Sequence, residues 1–353
     1  MVVDLTAANA EIARNTDVIG DVKTLLANLT QKIVTPSRLN VRDFWTSADG
    51  NDYYPAFSKA ISVARDSSKV GSSNSVYFSG RMPISKPLNI SNSVHVFGDG
   101  IGTSILVPDA ANNGIMIDTL NPVKLNDFSV EYSSPAATGT SAISVTCSDT
   151  SGSGLYGNSS SVFRDLLVLN ASTSLSLIAA EAFVVDNLKS LLHSTTGIDV
   201  SNVHFPDAGD GIIQNCYLLG ANMNSLAGIR WMSSGALSIC NNKILTHRYG
   251  VLCQLADGAQ TRQMFILGNS IDGTDIAAVA FWPLGRCSFG GVIVANNIFN
   301  LALNGISAPT PPIGKWINTM NVNCNNWYPN APGGVYLDSS AVTSVVNTNM
   351  TER

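Results

Sequence analysis

Charged side chains are scarce in this sequence, in which Asp, Glu, Lys and Arg make up 13% of 353 residues. The formal net charge of −5 provides no basic surface for binding nucleic acid. No apolar run reaches about 18 residues, so membrane insertion is not expected. The N-terminus lacks a basic segment followed by an apolar run, so we expect no signal peptide and a mature chain that begins here. The 45% hydrophobic content is still enough for a sizeable core.

Cysteine is also sparse, and its six copies have neither paired metal-ligand spacing nor a compact disulfide framework. The cysteines are Cys147, Cys216, Cys240, Cys253, Cys287 and Cys324. We expect no metal or other cofactor. Cys240 and Cys324 share one position of the repeat described next, and we expect both to face inward as small hydrophobic side chains. An even number still permits disulfides, so the redox compartment stays open.

One short pattern, in which apolar residues flank an asparagine, returns five times between about residues 211 and 328. The asparagines are Asn215, Asn242, Asn269, Asn297 and Asn326, separated by 27, 27, 28 and 29 residues. Such a period predicts stacked supersecondary units that bury their faces against one another. The apolar runs are short, β-branched and interrupted by Gly, Asn, Asp and Ser, which favours strands and turns over helices.

A coil of about 27 residues with three short strands places equivalent residues roughly 4.8 Å apart, the ordinary spacing of neighbouring strands. The sequence therefore predicts an all-β fold, a parallel β-helix. At the repeated bend we expect the five asparagines to form an internal ladder, because each side-chain amide can bond its neighbours above and below.

A second period occupies the N-terminus, where apolar residues recur every seven positions. They are Leu5, Ile12, Ile19, Leu26 and Ile33. An a/d pattern over four heptads predicts a coiled coil between chains, and its Ile-rich a positions lean toward three strands. The alternative is an amphipathic helix packed on its own domain.

After Pro36, apolar residues at helical spacing predict a short helix that closes the open end of the coil. These residues are Phe57, Ala60, Ile61 and Ala64, and Asp52 is the expected N-cap. Pro55 falls in the first turn, where its missing N–H is not needed.

Three motifs surround this helix: Val41-Arg-Asp-Phe44, Ala48-Asp-Gly50 and Val94-His-Val-Phe-Gly-Asp-Gly-Ile-Gly-Thr-Ser-Ile-Leu106. Together with the helix, they resemble the entry region of pectate-lyase-like domains in bacteriophage tailspikes. The resemblance covers about residues 40–108. Trp45 stands where that family usually has Gly, and the turn at residues 48–50 is shortened. The resemblance implies a right-handed parallel β-helix in a homotrimer, joined to phage tail or baseplate proteins and acting on bacterial surface polysaccharide.

Four segments follow from these patterns. We expect a trimeric coiled-coil stem at 1–36, the cap helix and first coils at 37–108, the β-helix body with side loops at 109–330, and a C-terminal end or tail at 331–353. The Ser-, Gly- and Thr-rich stretch 133–161 is expected to loop from the side of the stack.

Carboxylates are the main catalytic candidates, because glycoside hydrolysis needs one protonated and one ionised carboxyl about 5 to 9.5 Å apart. Asp207 and Asp210 lie three apart in a Gly-rich turn before a strand, and we expect both to face solvent. Ordinary turn chemistry is the alternative. Segment 210–220 is similar to the polygalacturonase arrangement, but Ala221 and Asn222 replace its acid pair. Glu181 and Asp186 are further candidates in a less regular coil.

A second group follows Asn242. His247, Arg248 and Tyr249 are expected to meet Asp275 of the next coil on one exposed edge. His or Tyr would be the base of a lyase, and a cation would neutralise the uronate. The structural alternative is an ion pair between Arg248 and Asp275.

Three more residues are candidates for sugar contacts. These are Arg230, Trp231 and Trp282, since aromatic faces stack on sugar rings. Trp231 could equally lie in the core.

Together these features predict a phage tailspike, carried in the virion and acting outside the host cell, that binds and hydrolyses a capsule or O-antigen. A non-catalytic receptor-binding or structural spike and a polysaccharide lyase are the alternatives. A cellular pectinase is a further alternative, which the coiled coil and the missing signal peptide disfavour.

Overall fold

A computed structural model describes residues 38–65, 74–148, 157–201, 209–233, 235–255, 260–261, 263–282, 284, 288–308, 317–329, 335–337 and 342–352. The predicted stem and Asp207 lie outside these residues. Within them, 27 strands form one sheet through parallel pairings between successive coils. The prediction of a parallel β-helix is therefore confirmed, and its right-handedness stays a prediction. None of the described helices is long and apolar enough to cross a membrane.

The strands stack in three columns, and each coil passes through the columns in order. The first column contains Leu39–Asn40, Ser75–Tyr77, His95–Phe97, Gly211–Gln214, Ala236–Cys240, Gln263–Leu267 and Val292–Ala295. The second contains Gly80–Ile84, Ser104–Pro108 and Tyr217–Gly220. The third contains Leu88–Ile90, Ile115–Asp118, Ser141–Thr146, Thr173–Leu177, Thr196–Val200, Ala227–Trp231 and Val335–Leu337.

Longer strands bend from one column into the next. Lys124–Glu131, Val162–Leu169, Phe183–His193 and Ile317–Pro329 join the first column to the second. Lys243–Cys253, Ser270–Phe281 and Ile298–Ala308 join the second to the third. Val342–Glu352 pairs with Ile317–Pro329, and the short pairs Asn158–Ser159 with Ala180–Glu181 and Gln260–Thr261 with Ser288–Phe289 lie between columns.

The interior of the coil is filled by the alternate side chains of each strand. In Val162–Leu169, for example, Phe163, Leu166 and Val168 are buried while Arg164 faces solvent. This alternation shifts at the bend, because Asp165 adopts a left-handed backbone conformation with φ of 51°. The largest fully buried side chains are mostly aromatic and include Trp231, Phe128, Phe163, Phe183, Phe281 and Phe299.

The bend between the first and second columns, which we call the first bend, repeats one backbone conformation in seven coils. Its left-handed residues are Asp127, Asp165, Asn187, Asn215, Asn241, Gly268 and Asn296, with φ between 51° and 66°. Asp, Asn and Gly are the residues that tolerate this conformation best. The turn is therefore encoded by one residue per coil.

The residue after each left-handed position points inward and forms a column of its own. The early members are Phe128, Leu166, Leu188 and Cys216, and the later ones are Asn242, Asn269 and Asn297, all buried. Asn325 of the next coil is also buried and continues the column. These four asparagines form the predicted ladder: the side chain of Asn269 accepts from Asn242 and donates to Asn297 at 3.0 Å in both cases.

The predicted alignment of this ladder is wrong at both ends. Asn215 is exposed at the left-handed position, and its Nδ2 donates to Asp186 Oδ1 at 2.9 Å. Its inward neighbour Cys216 starts the ladder by donating its backbone N–H to Asn242 Oδ1. At the other end the ladder member is Asn325 rather than Asn326. The predicted inward position of Cys240 is also wrong, because it is half-buried on the first column.

The predicted helix is confirmed at Tyr54–Arg65, and we call it α1. The first intrahelical bond runs from Phe57 N to Tyr53 O, so the N-cap is Tyr53 and the predicted Asp52 lies one residue before it. Asp52 Oδ1 accepts from Tyr54 N at 3.0 Å and from Ser85 N at 3.1 Å. The apolar face of α1 is buried, and Phe57 meets Phe78 of the first coil edge to face at 5.2 Å. Whether α1 closes the end of the stack stays a prediction.

One part of the predicted side loop belongs to the body. Ser141–Thr146 is a strand of the third column, with Ala142, Ile143 and Val145 fully buried. The serines that make the segment look too polar for a core include Ser141 and Ser144, and both are buried in this strand.

Candidate functional site

Carboxylates line the early coils of the first bend. Asp127 and Asp165 lie side by side on adjacent coils, because Asn126 pairs with Arg164 and Phe128 with Leu166. Their α-carbons are therefore separated by about 4.8 Å, the spacing of neighbouring strands. Both side chains are half-buried, and Asn187 Nδ2 of the next coil donates to Asp165 Oδ1 at 2.6 Å. This bond orients the Asp165 carboxylate.

An ion pair lies next to these carboxylates on the outer face of the first column. Arg164 Nε is 3.2 Å from Asp186 Oδ2, and Asn215 donates to the other oxygen of the same carboxylate. Arg164 remains about half exposed, so its guanidinium is still accessible to a ligand. Three successive coils thus present three carboxylates and one cation on one surface.

Aromatic rings extend the same surface toward the first coils. His95 stacks on Phe97 with ring centroids 4.8 Å apart, and Phe97 lies 5.4 Å from Tyr77. His95 Nε2 donates to Asn126 Oδ1 at 2.5 Å, and Asn126 in turn donates to Asp127. Burial lowers the pKa of His95, while the bond to Asn126 opposes that shift. The polar surface that we call the bend groove comprises Tyr77, Phe97, Asp127, Arg164, Asp165, Asp186, Asn187 and Asn215.

The predicted acids Glu181 and Asp210 lie near the turn that precedes the first column. Glu181 Oε2 accepts from Gly209 N at 2.8 Å, and Asp210 Oδ1 accepts from Ala236 N at 2.5 Å. Each carboxylate therefore holds the turn of the following coil. Both are half-buried, and this role matches the alternative of turn chemistry. Asp207, the expected partner of Asp210, lies outside the described residues.

The prediction that His247 and Tyr249 lie on an exposed edge is wrong. His247 is fully buried, and its Nε2 lies 2.6 Å from Nε2 of His193. Tyr249 is 9% exposed and packs with Leu252, Ala277 and Ala280 in a small second apolar cluster. Thr246, in the left-handed region with φ of 62°, turns the chain so that His247 points inward. A buried ring cannot contact a polymer at the surface.

Arg248 and Asp275 are both exposed, as predicted. The strands that carry them shift register between His247 and Tyr249, so that Asp275 and Ile276 both lie opposite Arg248. Among the described side chains, the ion pairs are Arg81 with Glu131, Arg164 with Asp186 and Arg230 with Asp199. The alternative of an ion pair between Arg248 and Asp275 is therefore not supported.

The three candidates for sugar contacts lie in different environments. Arg230 forms two bonds to Asp199 of the preceding coil, at 2.9 and 2.5 Å, and these bonds raise the pKa of Arg230. Trp231 is fully buried near Phe289, so the alternative of a core residue is correct. Trp282 is 44% exposed and remains available to a ligand.

Known proteins resemble this chain in fold but not in sequence. No protein-family model matches the chain, and no curated protein matches it in sequence. The pre-mature gene product 12 of bacteriophage phi29 has a similar structure, with 12% identity and a TM-score of 0.51, over 94% of this chain and 57% of that one. The likeness is one of fold. This chain spans little more than half of the phage protein.

Two carbohydrate enzymes have more distantly similar structures. The A-module of mannuronan C-5 epimerase AlgE6 from Azotobacter vinelandii is 14% identical, with a TM-score of 0.48, over 89% of this chain and 99% of that one. The catalytic unit of a GH87 α-1,3-glucanase from Streptomyces thermodiastaticus strain HF3-3 is 14% identical, with a TM-score of 0.47, over 90% and 68%.

Sequence reasoning singled out Asp186 but missed Asp127, Arg164 and Asp165. The signal was a polar pair before an inward apolar residue, which recurs as Asn126-Asp127-Phe128 and Arg164-Asp165-Leu166. The same pair appears later as Gln214-Asn215-Cys216. The repeat therefore begins several coils before the regular asparagines make it visible. In the part of the chain that the structure describes, no group of three His, Cys, Asp or Glu side chains has the geometry of a metal site.

Proposed function

We propose that this protein is a phage tailspike whose bend groove binds and hydrolyses an extended bacterial surface polysaccharide. The observation that carries the proposal is the row of polar and aromatic side chains at one-coil spacing from Tyr77 to Asn215. An extended glycan offers hydroxyl groups along its length, so a regular ladder of donors and acceptors suits it. The rigid coil backbone fixes these groups before the ligand arrives, which reduces the entropy lost on binding.

Asp127 and Asp165 are the proposed carboxyl pair. Their α-carbons lie about 4.8 Å apart on neighbouring coils. Side chains from adjacent strands can bring two carboxyl groups to the separation of roughly 5 to 5.5 Å that hydrolases retaining configuration require. One carboxyl would give its proton to the glycosidic oxygen as the bond to the anomeric carbon breaks. The other would attack that carbon, and water would then hydrolyse the resulting ester. Arg164 would bind a hydroxyl or an acidic substituent beside the cleaved bond.

A non-catalytic spike is the second candidate. It is favoured by the bonds that occupy the predicted acids, since Glu181 and Asp210 hold backbone N–H groups of neighbouring turns. It is also favoured by the burial of His247, which removes the proposed lyase base from the surface.

Amide substitutions test the carboxyl pair. Asp127→Asn and Asp165→Asn should each lower the release of reducing ends from host capsule or O-antigen by at least about 100-fold, the scale of lost general acid–base catalysis. Both variants should bind the polymer and melt like the parent, because an amide preserves the shape of the carboxylate.

Two sets of controls make the result specific. Asp272→Asn changes a half-buried aspartate in the second column and should leave turnover unchanged. Glu181→Gln and Asp210→Asn test the acids predicted from sequence.

Full activity in Asp127→Asn and Asp165→Asn would exclude the proposed pair. Binding without cleavage by the parent protein would favour the non-catalytic spike, and an unsaturated uronate product would favour a lyase.

A further inference from the structure

A chain of buried polar side chains, separate from the asparagine ladder, lies at the bend between the second and third columns. Ser174 Oγ lies 2.6 Å from Ser190 Oγ, and Ser190 Oγ lies 2.7 Å from His193 Nδ1. His193 Nε2 then meets His247 Nε2 at 2.6 Å, with the two rings stacked at 4.8 Å. All four side chains are fully buried. The histidines are 54 residues apart and belong to alternate coils.

Glycines lie around these two rings. Gly220 belongs to the intervening coil and pairs with His193. A β-carbon at Gly197 would lie 3.2 Å from Cε1 of His193, closer than an ordinary contact, and one at Gly228 would lie in ordinary contact, 3.5 Å from Cε1 of His247. The histidine pair is therefore built into the packing of at least four coils.

The hydrogen bond between the rings requires that at least one imidazole is neutral. One Nε2 must donate a proton and the other must accept it, so two protonated rings cannot stay 2.6 Å apart. The groups that face the pair are Ser174, Ser190, Gly197, Gly220, Gly228 and Thr274, none of which is charged. In the described part of the chain, His247 Nδ1 and Thr274 Oγ1 have no hydrogen-bond partner. Among the described residues, no carboxylate lies close enough to balance the charge of a buried imidazolium.

We propose that the pair of His193 and His247 is an acid-sensitive lock, which joins the central coils when neutral and forces them apart when protonated. Added protons would place like charges in contact within an apolar interior, and hydration of the rings requires the coils to open. The lock is independent of the bend groove, so it makes no assumption about catalysis.

The pH dependence of stability follows from the pKa values of the two histidines in the folded and in the unfolded chain. Burial lowers the pKa of His247 to about 3, and burial together with the neighbouring His247 holds the pKa of His193 well below its usual range. In the unfolded chain both rings titrate near pH 6.5. The unfolded state therefore binds more protons below pH 6.5, and the stability that the neutral pair contributes is lost as pH falls toward 3. Each histidine should raise the unfolding equilibrium constant about tenfold for each unit by which the pH falls in that range.

Urea unfolding between pH 7.5 and 5 tests the lock in the full chain. For the parent, the unfolding constant should rise about 60-fold between pH 6 and pH 5, as expected for two histidines that titrate near pH 6.5 in the unfolded chain. A double variant, His193→Gln with His247→Gln, should lose most of that rise. His95→Gln makes the same chemical change at a half-buried surface site and should keep it. Equal pH dependence in the parent and the double variant would overturn the proposal.

Nuclear magnetic resonance of the parent protein gives a second test that needs no variant. The Cε1 proton signals of His193 and His247 should not titrate while the protein stays folded between pH 7.5 and 5.5. A titration of either ring near pH 6.5 in the folded protein would overturn the lock, even if the double variant fails to fold.

Discussion

Each central asparagine of the ladder uses its whole side-chain amide. Asn269 Nδ2 donates to Ile239 O and to Asn297 Oδ1, both at 3.0 Å. Its Oδ1 accepts from the backbone N–H and from the side chain of Asn242, at 2.9 and 3.0 Å. A residue that satisfies four hydrogen bonds in an apolar interior cannot be replaced by an aliphatic side chain without leaving partners unpaired.

Replacement of Asn269 by Ala should therefore lower the free energy of unfolding by about 1 to 3 kcal/mol, measured by urea unfolding. Asn215→Gly is the matched control, because Gly keeps the left-handed backbone and removes only the exposed bond to Asp186. We expect that change to stay within about 0.5 kcal/mol. Equal losses in the two variants would contradict the division into an inward ladder and an outward bend.

The same pair of positions explains one limit of sequence analysis. Asn occurs both at the left-handed position and at the inward position after it, as in Asn241-Asn242 and Asn296-Asn297. In Asn215-Cys216 only the outward position is Asn, so aligning on the asparagines moves the register by one. Composition cannot separate the two positions, because backbone conformation favours Asn at one and hydrogen bonding favours it at the other.

At the scale of elements, small residues in the third column allow the second column to fill the interior. Gly197, Gly228 and Gly250 occupy equivalent positions on consecutive coils. A β-carbon on Gly228 would lie 2.3 Å from Cγ2 of Ile244, and one on Gly250 would lie 2.4 Å from Cγ2 of Ile271. Each glycine of the third column therefore leaves room for a large side chain of the second column.

Substitution of Gly228 by Ala should destabilise the protein by about 1 to 3 kcal/mol, the usual cost of overpacking. Adding Ile244→Ala removes the closest atom, so the double variant should lose less stability than the sum of the single variants. Thermal unfolding of all three variants measures this coupling. Strictly additive losses would show that the two residues do not compete for one space.

Sequence periodicity predicted the parallel coils and α1 because both depend on regular burial. The site was harder to predict. His247 and Arg248 are neighbours in the chain, yet a left-handed Thr246 and a register shift bury one and expose the other. Such local irregularities leave no period to recognise. Asp127 and Asp165 were missed for the opposite reason, because they resemble ordinary turn residues until strand pairing brings them together.

The oligomeric state belongs to the scale of the whole molecule. If residues 1–36 pair three chains, the full protein should sediment as a trimer, and a chain that begins at residue 37 should shift toward smaller species. Sedimentation at micromolar concentration measures both. A monomeric full-length protein would contradict the stem, and an unchanged trimer after deletion would assign assembly to the body instead.

Parallel pairing between successive coils also determines how the molecule resists force. The backbone bonds that join one coil to the next run along the axis, and the described strands of a coil pair with strands of its immediate neighbours. Tension applied along the axis to the last coil therefore loads a single layer of bonds at a time. Such a rod should peel layer by layer at modest force, while tension across the axis must shear many layers together. A filament of this design would be strong against sideways bending and weakest against being pulled apart lengthwise.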